Sequence, residues 1–139
     1  MKAVKYATGL ALGLAVTATM VTGTVSAAPH TASARATIPL TNADDGRTVT
    51  VHAGDEIRVR LTAYREQGVM WVWSEPQASV PATLRRTGGN TSPGGDATAV
   101  FEVTGSGTSE ITSLRRCVAP QGQVCSHAVP QWKATINVQ

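Results

Sequence analysis

The sequence has few of the residues from which most catalytic centres are built. Its 139 residues include three histidines and two cysteines, and charged residues make up only 15% of the chain. His30, His52 and His127 are far apart, and no Gly-x-Ser-x-Gly or His-Glu-x-x-His motif occurs. Two cysteines without a matched histidine pair do not make a zinc site. We therefore expect a protein that is not an enzyme and that has no metal and no cofactor.

Basic residues are too few and too dispersed for a nucleic-acid interface. The 12 Lys and Arg residues face 9 Asp and Glu, a formal net charge of +3. Lys2 and Lys5 lie in an N-terminal segment that we expect to be removed, which leaves 10 − 9 = +1. Apart from the pairs Arg85-Arg86 and Arg115-Arg116, no basic patch remains. We therefore expect no nucleic-acid partner.

Residues 1–27 have the composition of a secretory signal peptide. A basic start precedes the uncharged stretch 7–21, and Val25-Ser26-Ala27 fits the small-x-small rule for cleavage. The apolar stretch is short for a transmembrane helix, although a retained anchor is the alternative. We expect a secreted, extracellular monomer without membrane contact, with a flexible lead-in over residues 28–37 and one domain over 38–139.

The two cysteines are expected to form a disulfide bond. An exported chain meets an oxidising environment, and an even cysteine count favours pairing of Cys117 with Cys125. Closing such a short loop stabilises a fold by roughly 2–3 kcal/mol. Two free thiols or metal ligands are the alternatives.

Beyond the lead-in, almost every pattern has the period of two that is typical of β-strands. Val49 and Val51 alternate with polar residues, and so do Ile57, Val59 and Leu61 after the turn signal Ala53-Gly54-Asp55. This pattern predicts a hairpin. Val69–Trp73 predicts a third strand with Val69, Trp71 and Trp73 on one face and Trp71 in the core.

The second half of the chain predicts more strands separated by turn-forming residues. Strands are expected at 97–104, 109–114 and 132–138, with a weaker signal at 78–84, whereas residues 87–96 have the composition of a loop. About seven short strands predict an all-β, immunoglobulin-like β-sandwich. A small barrel is the alternative.

The run from Asp45 to Leu61, followed by Gly68-Val69-Met70-Trp71, resembles the chagasin-like inhibitors of papain-family cysteine proteases. Asp45-Gly46-Arg47-Thr48 is similar to the family's N-G-x-T opening, and Gly68 and Trp71 stand where its motif N-P-T-T-G-[YF]-x-W has Gly and Trp. Pro93–Asp96 before a strand looks like its glycine-rich loop. The resemblance covers nearly the whole mature domain and implies an immunoglobulin-like sandwich.

The resemblance also implies a function and the residues that perform it. In the family, three loops at one end of the sandwich form a wedge that occludes the protease cleft reversibly, without chemistry by the inhibitor, and the glycine-rich loop enters the active site. Carried onto this chain, the expected partner-binding residues are Tyr64, Arg65, Glu66, Gln67, Gly68, Gly88, Gly89, Pro93, Gly94, Gly95, Arg115 and Arg116.

Other functions stay open at this point. Residues 64–68 share only the glycine with the family's loop motif, which favours a non-inhibitory extracellular or cell-wall-associated interaction module. A small-molecule carrier would need an open apolar cleft between the sheets. Tyr64 is either an interface anchor or a side chain packed over the end of the sandwich.

Overall fold

The computed structural model describes residues 13, 23–24 and 34–139. Nearly all of the predicted signal peptide and most of the lead-in lie outside the described residues. Among the residues that the structure describes, no helix is long and apolar enough to cross a membrane.

The described chain folds into two facing β-sheets, which confirms the predicted immunoglobulin-like β-sandwich. The strands are β1 (Thr37–Thr41), β2 (Thr48–Val51), β3 (Glu56–Leu61), β4 (Tyr64–Glu66), β5 (Val69–Trp73), β6 (Gln77–Ala78), β7 (Leu84–Thr91), β8 (Ala97–Val103), β9 (Gly107–Val118) and β10 (Gln131–Val138). Their order is β1-β3-β8-β7 in one sheet and β2-β10-β9-β5-β4 in the other, with β6 added beside β9. A 3-10 turn spans Asn42–Asp44.

Alternating apolar side chains of both sheets fill the space between them. Ile57, Val59 and Leu61 of β3 are almost fully buried, and so are Phe101 of β8 and Trp132 of β10. Burial of this apolar area is the main stabilising contribution to such a fold. Because these side chains occupy the space between the sheets, the small-molecule carrier hypothesis gains no support.

The predicted hairpin of β2 and β3 is wrong. β2 pairs in parallel with β10, whereas β3 pairs with β1 and β8 in the opposite sheet. The intervening turn therefore carries the chain from one sheet to the other. Two alternating strands joined by a glycine turn have the same sequence pattern in a hairpin and in an arch between sheets, because both place one face of each strand against the core.

The last residues of the flexible lead-in predicted over residues 28–37 are ordered in the structure. Thr37 already belongs to β1, and Arg35 donates from Nε to the Gly54 carbonyl at 2.7 Å. The backbone N–H of Ala36 donates to the Asp55 carboxylate at 3.1 Å, and that of His52 donates to the same group at 2.9 Å. Asp55 thus joins the start of the domain to the arch between the sheets.

The predicted loop over residues 87–96 is wrong for its first half. Residues 87–91 continue β7, which pairs with β8 and has a bulge between Arg86 and Gly88. Gly89 adopts φ +137°, and a Cβ there would lie 2.3 Å from the Thr98 carbonyl oxygen. Glycine at this position allows two strands to approach closely. In the sequence, a glycine that serves this purpose looks the same as a glycine that forms a turn.

We predict that Asp55→Asn lowers the free energy of unfolding by about 1–3 kcal/mol at neutral pH, because two backbone N–H groups lose a charged acceptor. These hydrogen bonds, that from His52 above all, hold the pKa of the Asp55 carboxyl below its ordinary value of 3.8. A lowered pKa stabilises the fold above pH 3.8, and this contribution is lost as the pH falls through the folded-state value.

Urea unfolding at neutral and at acidic pH measures this difference. The gap between the parent and Asp55→Asn should shrink as the pH falls below 3.8. Glu66→Gln, at an exposed carboxylate, should leave the free energy of unfolding unchanged. A gap that is constant with pH would contradict the role of the Asp55 charge.

Candidate partner-binding site

Three strands project beyond the end of the sandwich. β10 begins at Gln131, opposite Leu114, so the last residues of β9, Arg115–Val118, pair only with β5. On its other side, β5 pairs with β4. We call this three-stranded ribbon the extension; it consists of Tyr64–Glu66, Val69–Trp73 and Arg115–Val118.

The extension contains the segment predicted to be a binding loop, residues 64–68. β4 and β5 form a tight hairpin in which only Gln67 and Gly68 are unpaired. Both residues have positive φ, 51° and 79°, as in the two-residue turns that match the twist of a hairpin. The loop interpretation is therefore wrong for residues 64–66. Asparagine or aspartate is the usual first residue of such a turn. Because Gln67 stands there instead, the sequence does not predict a hairpin.

The inner face of the extension holds a half-buried arginine, Arg115. Trp71 is opposite Tyr64 on one side and Cys117 on the other, and Arg115 is opposite Trp73. The Arg115 guanidinium carbon lies 4.5 Å from the centre of the Trp71 ring and 5.8 Å from that of Tyr64. Arg115 also donates from Nη1 to the Tyr64 hydroxyl. Tyr64 therefore packs over the end of the sandwich.

Two residues of the extension are buried without belonging to the main core. Val69 is 8% exposed and Trp71 9% exposed, yet the contiguous core cluster contains Trp73 and neither of them. Trp71 is thus buried as predicted but away from that cluster. Something outside the two sheets must cover this face.

The cover is the disulfide loop, residues 117–130. The predicted bond between Cys117 and Cys125 is confirmed, with 5.7 Å between the Cα atoms. Because Cys117 is opposite Trp71, the bond brings the loop over the inner face. A cavity of about 280 Å³ remains between loop and hairpin, lined by Glu66, Gln67, Val69, Trp71, Val124 and Ser126.

The disulfide bond is the main attachment of this loop. Within the described residues, the segment 119–129 makes hydrogen bonds only with itself, from Gln123 to Pro120 and from Ala128 to Ser126. The Gln123 side chain also contacts the hairpin, since a Cβ at Gly68 would lie 3.3 Å from it. The loop rejoins the sheet where the backbone N–H of Arg115 donates to the Pro130 carbonyl at 2.9 Å.

The turn formed by residues 92–96 lies against the opposite, outer face of the extension. Gly95 has φ +93°, and a Cβ there would be 2.3 Å from Val72 Cγ1 and 3.3 Å from Ala63 Cβ. The Gly95 carbonyl accepts from the Trp73 N–H at 2.9 Å. The Asp96 carboxylate accepts from the Ala63 N–H at 2.7 Å. The turn is therefore fixed to the base of the extension.

The structure brings some of the predicted site residues together and separates others. Exposed positions at the projecting end are Arg65, Glu66, Gln67, Gly68, Pro93, Gly94 and Arg116. Tyr64 and Arg115 are packing residues, and Gly95 is half-buried at the base. Gly88 and Gly89 pair with Val100 and Ala99 in the other sheet, several residues before the turn.

Sequence reasoning missed two anchors of the site. In the sequence, Asp96 is only the last residue of a segment that resembles a glycine-rich loop, and nothing marks Ala63, 33 positions earlier, as its partner. The different roles of Arg115 and Arg116 were also missed, although strand alternation continued past Leu114 predicts them. In the part of the chain that the structure describes, no group of three or more His, Cys, Asp or Glu residues is placed to hold a metal ion.

Two facing sheets with three segments gathered at one end give this chain the fold of the chagasin-like inhibitors, and the resemblance predicted from the sequence is confirmed at the level of the fold. A solved structure with this fold is the cysteine protease inhibitor EhICP2 from Entamoeba histolytica. It is 14% identical to this chain, with a TM-score of 0.54, and the match covers 81% of this chain and 100% of that one.

A second solved structure, the solution structure of Amebosin, is 18% identical with a TM-score of 0.42, and the match covers 73% of this chain and 97% of that one. No protein-family model and no curated protein sequence matches the chain.

We predict that Gly95→Ala lowers the free energy of unfolding by about 2 kcal/mol or more, because a Cβ would meet Val72 at a positive φ that favours glycine. Gly94→Ala is the matched control in the same turn, since the nearest atom to its Cβ would be Ser92 Oγ at 3.8 Å. It should change stability by less than about 0.5 kcal/mol. Equal denaturation midpoints for the two variants would contradict the packing of the turn.

We predict that Arg115→Met costs about 1–2 kcal/mol of stability, because the cation–π contact and the hydrogen bond to Tyr64 are lost. It should also shift tryptophan fluorescence to longer wavelength as water reaches Trp71. Arg116→Met, at an exposed position of the same strand, should change neither quantity. Indistinguishable emission spectra for the two variants would show that Arg115 does not cover Trp71.

Proposed function

We propose that this chain is a secreted, reversible inhibitor of papain-like cysteine proteases that occludes the active-site cleft with the projecting end of the sandwich. The observation that carries the proposal is the convergence of three segments at that end. Gly95 contacts Ala63 and Val72, and Gly68 contacts Gln123. The fold itself is one that a cysteine protease inhibitor uses.

The mechanism is steric. Pro93 and Gly94 form the exposed apex of the turn, and the absence of a side chain at Gly94 lets its backbone approach a partner closely. The hairpin tip, Gln67-Gly68, and the disulfide loop supply the adjoining surface. No nucleophile of the inhibitor is required, because a filled cleft excludes the substrate.

Preorganisation supports this function. The turn is bonded to the extension through the Gly95 carbonyl and the Asp96 carboxylate, and the disulfide bond closes the loop on the other side. Segments that are ordered before binding lose little conformational entropy when a complex forms. Affinity then comes from shape complementarity and a few anchors.

Secretion is part of the proposal. A disulfide bond is typical of chains that mature in an oxidising compartment, which agrees with the predicted signal peptide at residues 1–27. The proposed partner is accordingly an extracellular protease.

The second candidate is a non-inhibitory extracellular or wall-associated module that uses the same surface. One observation favours it: Tyr64 and Arg115, two of the residues expected to touch a protease, pack against each other and against Trp71. The partner would then be an extracellular protein without a papain-like cleft, selected by the exposed residues of the hairpin and the turn.

We predict that the mature domain inhibits one or more papain-like proteases reversibly at micromolar or lower concentration. Gly94→Arg should raise the inhibition constant at least about tenfold, about 1.4 kcal/mol, because a long side chain at the apex obstructs entry into the cleft. Titration of residual protease activity at several substrate concentrations measures the inhibition constants of the parent and of Gly94→Arg.

Ser106→Arg is the matched control, because Ser106 is exposed in the turn after β8, at the other end of the strand that follows residues 92–96. This variant should inhibit like the parent. Absence of inhibition across a broad panel would contradict the inhibitor function and favour the interaction module. Inhibition that is equally weakened by both variants would contradict the assignment of the apex to the cleft.

A further inference from the structure

The outer face of the extension has a composition that the proposed loop contacts do not explain. Successive side chains of a strand point to opposite faces of the sheet. The outer face therefore carries the residues that alternate in sequence with the buried residues of the inner face. Arg65, Met70 and Val118 form one row across the three strands, and Val72 and Arg116 form the next. With Leu114, which follows on β9, we call these residues the outer flank: Arg65, Met70, Val72, Leu114, Arg116 and Val118.

Four of the six outer-flank residues are apolar, and two of these four, Leu114 and Val118, are open to solvent. Leu114 is 47% exposed, Val118 48%, and the adjacent Val129 59%. A cavity of about 180 Å³ is lined by Ser74, Leu114, Arg116 and Val129. It adjoins a wider groove of about 400 Å³ with mostly polar residues, which shares Ser74 and Leu114 with it and is also lined by Glu75, Gln77 and Thr112. Exposed apolar residues that are contiguous, rather than scattered, mark interaction sites.

The charge of the outer flank has one sign. Arg65 and Arg116 form no ion pair among the described residues, and the flank contains no acidic residue. Nearby carboxylates are engaged or face elsewhere. Glu75 pairs with Arg86, Asp96 accepts from the Ala63 N–H, and Glu66 lines the cavity on the inner side. A partner of complementary charge is therefore acidic.

The two sides of the extension differ in their cover. The disulfide loop covers the inner face, whereas the turn 92–96 covers the outer face only near Val72. An element that enters a cleft presents both of its sides to the walls. On the uncovered outer face, atoms of a partner would replace water. Removal of its apolar side chains from water would then contribute to the free energy of binding.

We propose that the outer flank is a second contact surface, which binds an acidic and apolar patch on the rim of the protease cleft. This inference rests on the proposed inhibitor function. Charge on the rim then selects among papain-like proteases, because opposite charges speed association and like charges facing each other weaken the complex. The cavity of about 180 Å³ between Leu114 and Val129 receives an apolar side chain of the rim.

The test compares two charge reversals in the mature, disulfide-bonded domain. Arg116→Glu alters the outer flank. Arg60→Glu makes the same change of net charge at an exposed arginine of β3, in the other sheet, that also forms no ion pair among the described residues. Inhibition constants are measured against each protease that the parent inhibits, at low and at high salt.

We expect Arg116→Glu to raise the inhibition constant at least about tenfold at low salt, mainly through a slower association rate, with a smaller effect at high salt. Arg60→Glu should stay within about twofold of the parent. Leu114→Ser should weaken inhibition similarly at both salt concentrations, because its contribution is apolar. Unchanged denaturation midpoints show that the variants remain folded.

Each failure identifies a different hypothesis. If the parent inhibits no protease of the panel, the proposed function is contradicted. If the parent inhibits but Arg116→Glu and Leu114→Ser behave like Arg60→Glu, only the second contact surface is contradicted. If the parent elutes as a dimer in gel filtration and Leu114→Ser makes it a monomer, the flank is a self-association surface, which also contradicts this inference.

Discussion

The bond between Cys117 and Cys125 holds the projecting end of this protein in shape. It carries the disulfide loop across the inner face of the extension, where Val69 and Trp71 are buried away from the contiguous core. The segment 119–129 has no hydrogen bonds to the sheets within the described chain, so side-chain contacts and the bond retain it. A three-stranded ribbon with both faces exposed to water would be only marginally stable. The disulfide loop covers its inner face and so creates a small second core.

That interior explains why two neighbouring arginines have different roles. Arg115 points inward, where Trp71 and Tyr64 surround its guanidinium group. Arg116 points outward beside Val72 and Leu114, and forms no ion pair among the described residues. Arg115 therefore stabilises the extension, whereas Arg116 leaves its charge exposed to solvent. The extension thus has a covered side and a bare side, and the turn 92–96 joins it at its base through Gly95.

The alternation of buried residues predicted the β-sandwich and most of its strands, because burial of one strand face leaves a direct mark on the sequence. It did not predict which sheet β2 joins, since an arch and a hairpin share that mark. It also missed the hairpin at residues 64–68, where Gln67 adopts a positive φ that its type does not announce. Continuing the alternation of the strand from Leu114 to Val118 assigns Arg115 to the inner face and Arg116 to the outer face, but the predicted strand ended at Leu114.

The most direct measurement is the affinity of the mature, disulfide-bonded domain for a papain-like protease with its cleft open and with its cleft filled by a small covalent inhibitor. Isothermal titration calorimetry on both forms compares them under the same conditions. Occlusion of the cleft predicts binding to the open form and a large loss of affinity for the filled form. Equal affinity for the two forms, or binding to neither, would contradict it.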